Sequence, residues 1–178
     1  VEAQLQAELD TVLGGRLPTL ADLRRLPYTD MVIKESMRLM PPAYSFGREA
    51  LSDLEINGYS VPKGTQVVIF NYFMHRDPEL WEQAEQFRPE RFSPENETNL
   101  PRYAYLPFGG GPRICVGNSF AAMEARLLLA TMAQRFQLRL LPGQSYAAEP
   151  LITLRPKSQL LMRVEQREPV RVPQPESA

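Results

Sequence analysis

The sequence predicts a mainly α-helical fold with a small β-sheet region, which belongs to the α+β class. Two patterns predict this fold. Apolar residues recur at helical spacing at the start of the chain and again after residue 117, whereas short runs rich in Val and Ile lie between these helices and after them. With 178 residues, 43% of them hydrophobic, the chain is long enough to bury a core, so we expect one globular domain.

The first helix opens the chain. Its apolar residues at helical spacing are Val1, Leu5, Leu9 and Val12. Gly14 and Gly15 end it. Because the chain begins in mid-helix, with Val1 in place of methionine and no capping residue ahead of it, we expect the chain to be cut from something longer.

Two further helices precede the predicted strands. The Thr19–Asp22 segment has the form of a capping box, which opens a short helix. Pro27 begins the next helix. That helix stops before Pro41 and Pro42, because proline disfavours helical geometry in the residue before it and lacks the donor that would continue the helix.

The predicted strands fall into two groups. Asn57 and Gly58 lie between apolar runs, which is the strongest short-range signal for a hairpin, and the Gln66–Phe70 run is rich in Val and Ile. We therefore expect a small sheet in this part of the chain. Three later runs also predict strands, namely FQLRLL at 136–141, LITLRP at 151–156 and LLMRVEQ at 160–166.

Two longer segments lie between the two groups of predicted strands. The polar, proline-interrupted segment from Asn71 to Arg102 predicts a long loop with one short helix at Pro78–Gln83. The segment NSFAAMEARLLLATMAQRFQ starts at Asn118 and is apolar on nearly every face, which predicts a helix buried on most sides at the centre of its domain. The domain is expected to span residues 1–166, with residues 167–178 as a flexible tail.

Composition excludes several classes of function. Twenty basic and 21 acidic side chains give a net charge of −1, which provides no electrostatic case for binding nucleic acid or an anionic membrane surface. One cysteine and one histidine cannot form a disulfide, a zinc site or an iron–sulfur cluster. No apolar run approaches the roughly 18 residues that span a bilayer. We expect a reducing, cytoplasmic location unless a segment outside this sequence carries a membrane anchor.

The single cysteine lies in an unusual loop, LPFGGGPRICVG, at Leu106–Gly117. A lone cysteine is most often a small buried hydrophobic residue. Here, however, four glycines free the backbone for positive φ and for close approach to a bulky planar partner. Cys115 also directly precedes the helix that begins near Asn118, where backbone N–H groups and the helix dipole stabilise a thiolate. This arrangement favours binding of a cation or a metal.

Six residues of this loop match every fixed position of the haem-binding loop of the cytochrome P-450 haem-thiolate monooxygenases: Phe108, Gly109, Gly111, Arg113, Cys115 and Gly117. The sequence therefore resembles the C-terminal portion of that family. The resemblance covers nearly the whole chain but less than half of a complete member. It implies a haem b whose iron is ligated by the Cys115 thiolate. It also implies that Arg113 bonds a haem propionate, that Phe108 shields the sulfur and that Ala121 lies under the porphyrin.

A second match concerns a helix and the loop after it. Glu35 and Arg38 lie three residues apart on one helix face, an arrangement that by itself is usually a solvent-exposed pair. The family, however, carries Glu-x-x-Arg on the helix that precedes its small sheet, and the FRPERF segment here supplies Arg91. The resemblance implies that these three residues form a buried network that supports the haem site structurally.

Several weaker assignments complete the predicted site. The resemblance gives Arg48 a second propionate contact, although a surface arginine is an equally good interpretation. His75, the single histidine, is expected to make a structural hydrogen bond and not to bind metal. Four residues lie where the family lines its substrate pocket, although their side chains suit a hydrophobic core equally well: Ala43, Tyr44, Leu151 and Ile152.

The function implied is monooxygenation, in which one atom of dioxygen enters an apolar small organic substrate and the other leaves as water. The resemblance implies that electrons come from a reductase of the flavin or ferredoxin type. The FRPERF segment resembles that of the fatty-acid-hydroxylase and microsomal branch, which by family analogy favours a flavin reductase. The family's acid and alcohol pair for proton delivery has no counterpart in this chain, so no catalytic residue is assigned and the isolated chain is expected to be inactive. Two alternatives are a haem-binding protein without monooxygenase activity, either a sensor or a non-functional remnant, and a peroxide-using haem-thiolate enzyme.

Overall fold

The fold consists of α-helices and antiparallel strand pairs, which confirms the predicted class. The computed structural model describes residues 1–144 and 146–168. Within these ranges the α-helices are α1 (Glu2–Leu13), α2 (Pro27–Leu39), α3 (Asn71–Met74), α4 (Pro94–Glu97) and α5 (Asn118–Ala133). The strands are β1 (Phe46–Glu49), β2 (Leu54–Ile56), β3 (Tyr59–Val61), β4 (Gln66–Ile69), β5 (Phe136–Leu140), β6 (Ala148–Pro150), β7 (Leu154–Pro156) and β8 (Met162–Gln166). Three short 3-10 helices lie at Leu20–Arg25, Pro89–Phe92 and Gly111–Arg113.

A first hydrophobic cluster joins α1 to α5. Leu9 and Leu13 of α1 are buried with Leu26, which immediately precedes α2, and with Ala130 of α5. The helix α1 ends as predicted at Gly14, whose φ of 56° is left-handed and whose N–H donates to the Asp10 carbonyl. The cluster therefore fixes α5, the helix that follows the cysteine loop, against the first helix of the chain.

The start of α2 is held by a carboxylate from α1. The Glu8 side chain accepts hydrogen bonds from the backbone N–H groups of Tyr28 (2.6 Å) and Thr29 (2.8 Å), and from the Thr29 hydroxyl (2.7 Å). These N–H groups have no partner inside the helix, and an anion at this end also interacts favourably with the helix dipole. Because of this contact, α1 positions the helix that carries Glu35 and Arg38.

The strands form four separate antiparallel pairs in the described residues. The predicted hairpin is confirmed, since β2 and β3 pair Ile56 with Tyr59 across a turn in which Asn57 (φ 50°) and Gly58 (φ 84°) are both left-handed. Strand β4 pairs with β1, β5 pairs with β8, and β6 pairs with β7. Strands β1 and β6 were not predicted from the sequence, because their short segments FGRE and AEP lack the alternating apolar pattern of a strand.

A second hydrophobic cluster organises the long connection between β4 and α5. Trp81, Phe92 and Ala104 are each only 2% exposed. The rings of Trp81 and Phe92 lie 5.8 Å apart, and the ring of Tyr105 lies 4.7 Å from that of Phe92. This loop therefore has its own core and brings Tyr105, which directly precedes the cysteine loop, against ordered aromatic residues.

Three local predictions were wrong. Residues 78–83 form turns and not a helix, because the helix-type hydrogen bond from the Trp81 N–H to the Asp77 carbonyl (2.9 Å) is not followed by a second one in this segment. Gln83, at the end of the segment, has a left-handed φ of 49°. The strand predicted at 151–156 is confined to Leu154–Pro156. Ala130 is the only residue of α5 that the described part of the chain buries, whereas Phe120 is 64% exposed and Leu128 is 53% exposed. The apolar pattern of α5 was read correctly as a helix, but most of its surface has no covering partner in the described residues.

The first residue of the predicted tail is tied to α1. Arg167 forms an ion pair with Asp10 and donates a hydrogen bond to the Gln134 carbonyl at 3.1 Å. Residues 169–178 of the predicted tail lie outside the described residues, and the domain boundary stays a prediction. None of the helices in the described ranges is long and apolar enough to cross a membrane.

Candidate functional site

The loop that carries the cysteine is folded back on itself by three backbone hydrogen bonds. The N–H of Gly109 donates to the Leu106 carbonyl at 3.2 Å, and the N–H of Ile114 donates to the Gly111 carbonyl at 3.1 Å. A third hydrogen bond, from the N–H of Cys115 to the Phe108 carbonyl at 3.0 Å, encloses the second turn. The Cys115 backbone is thus held opposite Phe108, seven residues earlier in the loop.

Two of the four glycines are required by this backbone path. Gly109 and Gly111 have φ values of 73° and 70°, a conformation that residues with a Cβ atom rarely adopt. Gly110, between them, is extended, but a Cβ atom there would lie 3.1 Å from a methyl carbon of Leu106. The predicted positive φ is thus confirmed at Gly109 and Gly111 but not at Gly110 or Gly117, whose φ values are −151° and −87°. The close approach to a planar partner stays a prediction.

Cys115 lies at the amino end of α5 and is exposed. Its carbonyl accepts a hydrogen bond from the N–H of Asn118, the first residue of α5, and Gly117 provides no side-chain cap to this helix end. The thiol therefore lies where the helix dipole stabilises negative charge, and it is accessible to a ligand. These features fit a haem, because a soft thiolate is a suitable axial ligand for iron and the glycine loop leaves room for a flat macrocycle.

The other predicted haem contacts lie in the cysteine loop, in the first turn of α5 and on β1 beside the loop. Phe108 is half-buried, Arg113 is exposed, and Ala121 lies in the first turn of α5, where its N–H donates to the Gly117 carbonyl at 2.9 Å. Arg48 of β1 reaches the loop, since its Nη2 lies 3.4 Å from the Gly110 carbonyl oxygen. The structure places Arg48 against the loop, whereas the propionate contact itself stays a prediction.

The structure brings Glu35, Arg38 and Arg91 together. Glu35 and Arg38 are completely buried, and the Arg38 guanidinium makes a bidentate contact with the Glu35 carboxylate through hydrogen bonds of 2.7 and 2.9 Å. Arg91 Nε lies 3.3 Å from Glu35 Oε1. The solvent-exposed pair that the spacing alone would suggest is therefore excluded for Glu35 and Arg38.

Backbone groups complete this buried network. Arg38 donates to the carbonyl of His75 at 2.6 Å and to the carbonyl of Gln86 at 3.2 Å, and the Glu35 carboxylate accepts from the N–H of Arg88 at 2.7 Å. Burial lowers the pKa of Arg91, with Glu35 opposing that shift and Arg38 adding to it. The extra hydrogen bonds satisfy the buried charges, which would otherwise be strongly unfavourable.

His75 makes the structural hydrogen bond that the sequence led us to expect. Its side chain is completely buried, and Nε2 accepts a hydrogen bond of 2.9 Å from the N–H of Leu106, the first residue of the cysteine loop. Burial lowers the pKa of His75 to about 4, and the positive charges of Arg38 and Arg76 contribute to this shift. His75 is therefore neutral at physiological pH, with Nε2 as an acceptor.

The two segments predicted to line a substrate pocket meet in the structure. The N–H of Leu154 in β7 donates to the carbonyl of Pro42 at 2.8 Å, which joins the chain after α2 to the segment after β6. Tyr44 and Leu154 line an apolar cavity of about 350 Å³. The other predicted residues of this pocket are exposed, namely Ala43, Leu151 and Ile152.

Sequence reasoning missed Asn71. Its buried side-chain amide donates to the carbonyls of Ala43 (2.8 Å) and Leu106 (3.3 Å), so it links the two predicted ligand regions. The only signal was its position four residues before His75, which places both residues on one face of a helical turn. The partners themselves are 28 and 35 residues away and have no local signature.

The family model for cytochrome P450 matches residues 1–162. The chain belongs to the cytochrome P450 family. This finding confirms the resemblance carried by the cysteine loop. Cytochromes P450 are haem-thiolate monooxygenases, so haem, iron and oxidoreductase chemistry are general properties of the family.

Individual relatives agree with this assignment. The chain is 44% identical over 153 residues to cyclooctatin synthase of Streptomyces melanosporofaciens, in a match that covers 86% of this chain and 33% of that protein. It is 46% identical over 138 residues to mouse (Mus musculus) cytochrome P450 4V2, covering 76% of this chain and 26% of that protein. The chain spans about a third of the length of such cytochrome P450 relatives.

A solved structure confirms the fold. The cytochrome P450DA heme domain superposes on the chain with a TM-score of 0.88 and 32% sequence identity. The match covers 94% of this chain and 37% of that cytochrome P450 chain. The described helices and strand pairs therefore form a portion of the cytochrome P450 fold.

The buried network predicts a large stability effect. Glu35→Ala would leave Arg38 and Arg91 as unpaired like charges, so the free energy of unfolding should fall by about 3–5 kcal/mol. Lys34→Ala, which removes the partly exposed neighbouring pair with Glu97, should cost about 1 kcal/mol or less. Chemical denaturation of a complete cytochrome P450 carrying this chain would measure both. Soluble Glu35→Ala holoprotein with normal haem content but no turnover would contradict a structural role.

The neutral state of His75 predicts a pH dependence of stability. Between its usual value of 6.5 and its folded pKa of about 4, the unfolded chain binds a proton that the folded chain does not. The free energy of unfolding should therefore fall as the pH decreases through this window, by up to about 3 kcal/mol. His75→Phe should remove this component from a series of denaturation curves recorded from pH 4 to 7. Parallel pH profiles for the two proteins would contradict it.

Proposed function

We propose that this chain provides the thiolate side of the haem pocket in a monooxygenase that inserts one atom of dioxygen into an apolar small organic substrate. The observation that carries the proposal is the exposed Cys115 at the amino end of α5, presented by a tight glycine loop. When bound, the haem supplies the oxygen activation, and thiolate ligation favours cleavage of the O–O bond. Binding and orienting the haem would be the role of the chain's own residues.

The residues around the thiol would hold and orient the cofactor. Cys115 would ligate the iron. The hydrogen bond from the Cys115 N–H to the Phe108 carbonyl keeps the loop that carries the sulfur folded. Phe108 would shield the sulfur from water. The guanidinium groups of Arg113 and Arg48 would bind the two propionates, and Ala121 would leave space for the macrocycle above α5.

The substrate would be apolar. The cavity beside Tyr44 and Leu154 is lined mainly by aromatic and aliphatic side chains, and the neighbouring Ala43, Leu151 and Ile152 add further apolar surface. Such a lining binds substrates through burial of apolar area and not through charge. The chemistry of these residues therefore supports an apolar small molecule as the substrate class.

Electrons would come from a separate reductase. Cytochromes P450 generally use redox partners, and the FRPERF segment of this chain is more similar to the branch that uses a flavin reductase than to the ferredoxin-dependent branch. In the structure this segment contributes Arg91 to the buried network and Phe92 to the second hydrophobic cluster. We propose a flavin reductase as the first donor to test, with a ferredoxin as the second.

The ligand assignment predicts a spectroscopic loss. In a complete cytochrome P450 carrying this chain, Cys115→Ser should abolish the reduced, CO-bound absorption band that is characteristic of thiolate ligation. Val116→Ser, which changes a fully exposed neighbour in the same loop, should leave that band in place. Retention of the band in Cys115→Ser would overturn the proposal. A normal band without turnover, given substrate and reductase, would instead favour a haem protein lacking monooxygenase activity.

The exposed face of α5 predicts the behaviour of the isolated chain. Phe120, Leu128 and Met132 are 64%, 53% and 49% exposed, and exposed apolar surface of this kind promotes aggregation or a partly ordered state. We expect the 178 residues alone to bind haem weakly and to show no turnover with a competent reductase. Haem stoichiometry, near-UV circular dichroism and substrate oxidation would measure this. One tightly held haem per chain with turnover would contradict it.

A further inference from the structure

We propose that Asn71 and His75 are positioning residues for the haem ligand, because together they clamp Leu106 and thereby fix the loop that presents Cys115. This inference rests on the proposed function, since it assigns the two residues an effect on the iron–thiolate bond. They are not assigned a contact with the haem or with the substrate. We call the pair the Leu106 clamp.

The clamp holds both backbone polar groups of one residue. His75 Nε2 accepts from the Leu106 N–H at 2.9 Å, and Asn71 Nδ2 donates to the Leu106 carbonyl at 3.3 Å. Both side chains are completely buried. Backbone groups are usually satisfied by other backbone groups in helices and sheets. Here a side chain satisfies the Leu106 N–H, and a second side chain from the same helical turn adds a bond to the carbonyl.

Leu106 is the residue from which the rest of the loop is built. Its carbonyl also accepts the N–H of Gly109, which closes the first turn of the loop. Phe108 lies within that turn, and its carbonyl accepts the N–H of Cys115. A displacement of Leu106 would therefore be transmitted through the turn to the ligand.

The clamp also connects the loop to the two other parts of the site. Arg38 of the buried network donates to the His75 carbonyl at 2.6 Å, and the His75 N–H donates to the Asn71 carbonyl at 2.8 Å. The Asn71 amide donates to the Ala43 carbonyl at 2.8 Å. The same two residues thus join the charged network, the predicted substrate segment and the ligand loop.

The clamp is not what stability alone would favour. Within the described residues, Asn71 Oδ1 and His75 Nδ1 are buried without a hydrogen-bond partner. Such atoms are unfavourable, and apolar side chains would avoid them. Both residues nevertheless use their remaining polar atom on Leu106, which supports a role in positioning the loop.

The test compares variants in a complete haem-loaded cytochrome P450 carrying this chain. His75→Phe and Asn71→Leu keep the approximate side-chain size but remove the bonds to Leu106, whereas His75→Gln places an acceptor near the position of Nε2. Met74→Leu changes a half-buried residue of the same helical turn to one of similar volume and leaves both bonds to Leu106 in place, so it is the matched control. The readouts are haem content, far-UV circular dichroism, the reduced CO-bound spectrum and the rate of haem transfer to an excess of apomyoglobin.

We expect His75→Phe and Asn71→Leu to lose part of the thiolate-type CO band and to release haem about tenfold faster, as is typical when residues supporting a metal ligand are removed. His75→Gln should restore most of the band, and Met74→Leu should behave as the wild type. Folded His75→Phe and Asn71→Leu holoproteins with wild-type spectra and wild-type haem release would overturn the clamp.

A milder variant keeps the proposal testable if the first variants do not fold. Asn71→Ser shortens the donor and should still weaken the CO band, whereas a wild-type band in that variant would overturn the clamp. The result for Cys115→Ser separates the two proposals. If Cys115→Ser loses the band while the clamp variants keep it, only the positioning role fails, and if Cys115→Ser keeps the band, the proposed function fails.

Discussion

The buried Glu35 carboxylate is the interaction on which the rest of the structure depends. It forms ion pairs with both Arg38 and Arg91 and also accepts the Arg88 N–H, so one side chain of α2 holds the chain that follows α3 at two points. An ion pair with no solvent exposure contributes little net stability, but it strongly disfavours any arrangement in which one partner is lost. The network therefore selects one position for the long connection between β4 and α5.

From that network, a short series of hydrogen bonds leads to the cysteine. Arg38 holds the His75 carbonyl, the His75 ring holds the Leu106 N–H, and the loop from Leu106 returns the Cys115 N–H to the Phe108 carbonyl. The aromatic cluster around Trp81 packs beside these hydrogen bonds, and the Trp81 ring lies 6.4 Å from the His75 ring. Structural residues far from the thiol thus determine how it is presented, which explains why a haem-thiolate site needs a rigid support outside its contact residues.

The sequence predicted those features that depend on local chemistry. The glycine-rich cysteine loop, the Glu35 and Arg38 spacing and the Asn57-Gly58 hairpin are specified by residue types at fixed positions. The helix expected at Pro78–Gln83 does not form because the single helix-type hydrogen bond to the Asp77 carbonyl is not continued. Gln83 then takes a left-handed conformation that its residue type does not predict. The apolar pattern of α5 alone predicts burial, because such a pattern does not show whether a covering surface is present. The resemblance to a longer family did predict that the apolar sides of this helix would be exposed in this chain. Asn71 was missed because its partners are distant in sequence.

The central claim is that the sulfur of Cys115 binds the haem iron. Resonance Raman spectroscopy of the ferric form of a complete cytochrome P450 carrying this chain tests it most directly, with cysteine labelled by a heavy sulfur isotope. The account predicts an iron–sulfur stretching mode that shifts on labelling and disappears when Cys115 is replaced. A haem spectrum without a sulfur-sensitive mode, or with one that persists after Cys115 is replaced, would contradict it.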